Sequence, residues 1–114
     1  MLYASSHSYQ VVDDQLVYVS VAIGQGQSGS STVLLNGNSV CHGTAIANQP
    51  LGKGQDLRGK NLLVTSSMVI NNPASNLTSN TVGLTGGTAP QNWTDSNSGS
   101  QGDNVVYLCA VQFT

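Results

Sequence analysis

The chain has 114 residues, enough for one domain with one core. Only 7% of them are charged and none is glutamate, against about 25% charged in ordinary globular domains, so ion-pair networks and long charged helices are excluded. Three cations and a net charge of −2 cannot supply the phosphate contacts that nucleic-acid binding needs, and no apolar run approaches the ~18–20 residues that span a bilayer.

The opening MLYASSHSYQVVDDQ lacks the basic and apolar regions of a secretory signal. A signal was removed before this numbering begins, or the protein leaves by another route, or it stays inside. Residues 1–9 are serine-rich and read as a flexible arm or a short edge strand; 10–114 form the domain.

From Gln10 to Ile23 the pattern settles into period 2. Val17, Val19, Val21 and Ile23 share one face, opposite Leu16, Tyr18, Ser20 and Ala22, as in a half-buried strand. Gly24–Ser30 ends it. Ser31–His42 reads as a hairpin about Asn36-Gly37, the pair best suited to a type I′ turn. That turn predicts Leu35 opposite Asn38, Val33 opposite Val40 and Thr32 opposite Cys41. Gly43–Gln49 reads as a short strand stopped by Pro50, and Leu51–Lys60 as a loop holding every cation.

Asn61–Ile70 alternates Leu62, Val64, Ser66, Met68 and Ile70 against Leu63, Thr65, Ser67 and Val69, which predicts a long strand. Asn71-Asn72-Pro73 turns it. Leu77–Thr85 is a further strand ended by Gly86-Gly87, and Thr88–Gly102 reads as a polar loop around Trp93. The last run, Val105–Phe113, has one polar side chain, Gln112, and the β-branched composition of a strand buried on both faces. The sum is an all-β, single-domain, mostly antiparallel β-sandwich, immunoglobulin-like or jelly-roll-like, of about six to eight strands.

Cys41 and Cys109 both lie in expected strands, and strands on facing sheets would let them form a disulfide. The other reading is two separate buried thiols acting as small apolar groups. A copper-type site from Cys41, His42, Cys109 and Met68 conflicts with strand geometry, because neighbours such as Cys41 and His42 point to opposite faces.

Acid–base chemistry needs positioned carboxylates or an activated nucleophile. Asp13 and Asp14 diverge in an extended chain. Ser66 and Ser67 lack the glycines of a nucleophile elbow, and Gly52-Lys53-Gly54 lacks the spacing of a phosphate loop. Asp95 and Asp103 flank the segment after Trp93 and, with Asn97 and Asn104, offer oxygen ligands of the kind calcium takes, although no 12-residue calcium loop is present. The plainer reading is solvated turn residues. Trp93 itself is an anchor of the type used for carbohydrate or protein recognition, or a cap on one end of the core. Sequons stand at Asn76 and Asn92.

The expected function is therefore a non-catalytic binding or assembly module, extracellular or on a particle surface, with a protein or glycan partner or with itself. No cofactor is implied. Three alternatives remain: a structural subunit of a homomeric fibre, shell or secretion assembly; a calcium- or carbohydrate-binding module using Trp93, Asp95, Asn97 and Asp103; and a small hydrolase, for which the sequence offers neither a triad nor a carboxylate pair.

Overall fold

A computed structural model describes residues 1–114. Nine strands and one helical turn follow each other as β1 (Leu2–Tyr9), β2 (Leu16–Gly24), β3 (Ser28–Leu35), β4 (Asn38–Gly43), β5 (Ile46–Lys53), α1 (Gly54–Leu57), β6 (Asn61–Val69), β7 (Leu77–Thr85), β8 (Gln91–Ser98) and β9 (Asn104–Phe113). They form two packed sheets, ordered β1-β9-β6-β3-β4 and β5-β2-β7-β8. β1 runs parallel to β9; every other pair is antiparallel. The β-sandwich expected from the sequence is present, with one strand more than the upper expectation.

The alternation read from the sequence decides which side chains face inward. Val17, Val19 and Val21 of β2 are buried, as are Leu62, Val64, Ser66 and Met68 of β6 and Ile70 just beyond it. In β9 the inward set is Val105, Tyr107, Cys109, Val111 and Phe113. β9 lies between β1 and β6, so both its edges are hydrogen-bonded. Burying a Val, Leu or Phe side chain is worth about 1.5–3 kcal/mol, which makes these three strands the main source of the fold's stability.

Three expectations are corrected. First, the hairpin turn is right but the register slips beyond it. Asn36 (φ 47°) and Gly37 (φ 82°) both take positive φ, and Leu35 pairs with Asn38. Leu34 then pairs with Ser39, and Val33 with Cys41, leaving Val40 as the extra residue of a bulge. Second, Pro50 does not stop its strand. β5 runs through it because β5 is an edge of its sheet, where a missing N–H costs no ladder bond. Leu51–Lys53 therefore belong to β5 and only α1 and its flanks remain of the cationic loop. Third, the polar stretch around Trp93 is not a loop. Gln91–Ser98 is strand β8, paired in register with β7 over eight residues.

The interior is divided. A larger apolar cluster contains Val17, Val19, Val33, Leu62, Val64, Leu84 and Phe113. A smaller one holds Met68, Ile70, Val105 and Tyr107. Polar groups lie between them: the buried pair Ser31–Ser66, with hydroxyls 2.7 Å apart, and Thr78 against Tyr107 Oη at 2.7 Å.

Candidate functional site

A second set of polar side chains lines one side of the sandwich, where the edge strands β1 and β8 face each other across the two sheets. In β1 the inward positions are Tyr3, Ser5, His7 and Tyr9, because Ser5 and His7 pair with the inward Cys109 and Val111. In β8 they are Trp93, Asp95 and Asn97, set by pairing with Val82, Asn80 and Thr78 of β7.

Ser5, His7 and Tyr9 of β1 meet Asp95 and Trp93 of β8, while Asn97 meets Tyr107 of β9. The His7 imidazole stacks on Trp93 at 4.5 Å between ring centroids and 13° between planes, and Tyr9 meets Trp93 edge-on at 6.5 Å. Trp93 is half-buried and packs on the larger apolar cluster. Ser5 Oγ donates to Asp95 Oδ2 at 3.3 Å, and His7 Nε2 lies 3.2 Å from the same Ser5 oxygen. With the Ser5 proton directed to Asp95, that contact needs His7 to donate from Nε2. Asn97 Nδ2 donates to Tyr107 Oη at 3.2 Å, and Thr78 Oγ1 donates to the Asn97 carbonyl at 2.9 Å.

Serine, histidine and aspartate thus meet, but in the order His7–Ser5–Asp95. A hydrolytic relay places histidine between serine and carboxylate, so that the base is oriented by the acid. Here the carboxylate holds the hydroxyl instead. What this arrangement does is tie the two edge strands together through polar contacts.

Asp103 lies elsewhere. Its Oδ2 accepts from the Ser100 backbone N–H at 2.9 Å and closes the turn before β9. That turn begins five residues beyond Asp95, about 17 Å of extended chain. The two carboxylates expected to share a calcium loop are not brought together. No cluster of three or more His, Cys, Asp or Glu side chains has metal-holding geometry.

The disulfide expectation is also corrected. Cys41 and Cys109 are unbonded and belong to the same sheet, not facing ones. They occupy one inward row, Cys41–Val33–Val64–Cys109, three strand steps apart. That separation is about 14 Å, whereas a disulfide needs Cα atoms within about 7 Å. Burial pushes the Cys109 thiol up, the Asp95 charge adds to this, and a hydrogen bond with Ser5 opposes it. Partial burial raises Cys41 as well.

Sequence reading did not find Ser5, His7 or Asn80. The signal for the first two was the alternation of Tyr3, Ser5, His7 and Tyr9 within a serine-rich segment. Asn80 left no signal. It is 1% exposed, sits between Ile23 and Asp95 in its sheet, and neither its Oδ1 nor its Nδ2 has a hydrogen-bond partner.

Compared with protein-family models, curated proteins and solved structures, the chain matches none.

Proposed function

We propose that the chain is a non-catalytic β-sandwich module that works by surface association, as a binding module or as a subunit of a homomeric assembly. The observation that supports this most is the outward face of the five-stranded sheet. Leu2, Val106, Leu108, Ala110, Leu63 and Leu34 lie on it among Ser, Thr, Asn and Gln, and it carries no Asp, Lys or Arg, its one ionisable side chain being His42 at the β4 edge. The charges cluster away from it: Asp13, Lys53, Asp56, Arg58 and Lys60 lie in or around β5, α1 and the segment before β2, with Asp13 and Arg58 paired. An uncharged face with apolar rows favours contact with another protein over solvent.

A calcium or carbohydrate role for the Trp93 strand has less support. One face of the indole is already covered by His7, and the Asp95 carboxylate already accepts from Ser5. Sedimentation velocity over a range of concentrations tests the association reading, with a mass that rises with concentration as the expected result. If no association and no protein partner were found, the reading would fail.

A further inference from the structure

Four strands end the two sheets: β1 and β4 in one, β5 and β8 in the other. An edge strand presents unpaired N–H and C=O groups that template pairing with another chain, and folded proteins blunt such edges with proline, bulges, short strands or inward charge. The four edges differ in this respect.

On one side of the sandwich both edges are blunted. β4 is only six residues long and bulged at Val40. β5 contains Pro50, a left-handed Asn48 (φ 48°) and two register shifts against β2. On the other side β8 is regular but turns the Asp95 carboxylate inward. β1 has no such device. It pairs with β9 over eight consecutive residues without a shift, and it holds no proline, lysine, arginine or acid. Its outward side chains are Leu2, Ala4, Ser6 and Ser8, with Leu2 64% exposed.

The backbone of β1 is turned accordingly. In a parallel ladder alternate residues bond the neighbour. The Val106 N–H donates to the carbonyl of residue 1, so the amides of Tyr3, Ser5, His7 and Tyr9 face β9, and those of Ala4, Ser6 and Ser8 face outward.

Resting on the association reading, we propose that a second copy of this chain pairs antiparallel with β1, so that the two five-stranded sheets continue as one across a two-fold axis. The occupant is a second copy because a two-fold axis sets residues near it against their own equivalents. Any charge there would meet its like, and β1 offers only Ser5 or Ser6 at its centre. Because the opposite side is blunted, addition stops at two; a fibre would need a second complementary edge. Eight residues of strand over the 21 Å depth of the molecule bury roughly 1,000 Å² in total, at the lower bound for specific interfaces. The dimer is therefore expected to dissociate on dilution.

The test is light scattering and sedimentation of the 11.8 kDa chain from about 1 μM to about 1 mM. Two variants accompany it. Ser6→Pro removes an outward amide while leaving the β9 ladder intact, and Ser6→Lys sets like charges near the axis; circular dichroism checks that both keep the fold. The expected result is a mass that doubles and goes no further, with dissociation at least tenfold easier in both variants. Association that persists in the folded variants, or that grows past two copies, overturns the β1 dimer but leaves the association reading standing. A strict monomer at every concentration overturns the dimer, and the broader reading then falls only if no protein partner binds.

Discussion

Two buried side chains carry consequences that packing alone does not show. Cys109 is 1% exposed, and its thiol is raised chiefly by burial. A folded-state value above the unfolded one means that the contribution to stability is complete below the unfolded thiol's range, about 8.5. It is lost as pH rises from there through the folded value. Urea unfolding at pH 7 and pH 10 is therefore expected to show a fall in stability that is smaller in Cys109→Ala than in the parent chain. Equal falls would mean that the thiol does not titrate differently on folding. Asn80 poses the converse problem. Its amide is desolvated with no partner, at a cost of about 1–3 kcal/mol for such a group. Leucine has nearly the same shape and no polar atoms. Asn80→Leu is expected to stabilise the fold by about 1 kcal/mol or more in urea titration. A loss of similar size would instead indicate a buried water bonded to the amide.

At the scale of elements, legibility followed the hydrophobic effect. β2, β6 and β9 were readable because one face of each is apolar and buried, and period 2 records that directly. β7 was readable through Val82 and Leu84. β8 was not. Its inward residues, Trp93, Asp95 and Asn97, meet the polar inward face of β1, so no apolar alternation marks it, and its composition matches that of a loop. The β3–β4 turn was legible because Asn36-Gly37 encodes positive φ locally. The bulge at Val40 was not, since it depends on how β4 fits along β3 and not on the turn. The same slip turns Cys41 into the inward row with Cys109, which spacing in sequence could not show. Pro50 misled for a related reason: proline is a stop inside a sheet and tolerated at its edge, and edge position is a property of the assembled sheet. The polar seam required two strands at opposite ends of the chain, β1 and β8, to be placed face to face, and neither segment records its partner.

For the whole molecule, the closing element of the sequence is the centre of the architecture. β9 has β6 on one side and β1 on the other, and β1 has no other strand neighbour. The sheet that contains both ends of the chain therefore depends on pairing across nearly its full length, which makes folding slow, in milliseconds to seconds for such topologies. It also makes the two ends unequal. Removing residues 104–114 deletes Val105, Tyr107, Cys109, Val111 and Phe113 from both apolar clusters, strands β1, and uncovers the edge of β6. Removing residues 1–9 deletes one buried apolar residue, Tyr9, and the Ser5 and His7 contacts of the seam, while the pairing of β9 with β6 is retained. The fragment 1–103 is expected to show no cooperative urea transition and a solvent-exposed Trp93 emission. The fragment 10–114 is expected to unfold cooperatively at lower urea, with Trp93 emission shifted because His7 no longer covers the indole. A cooperative transition in 1–103 would mean that the core closes without β9, and the placement of β9 as the centre of the larger sheet would then be wrong.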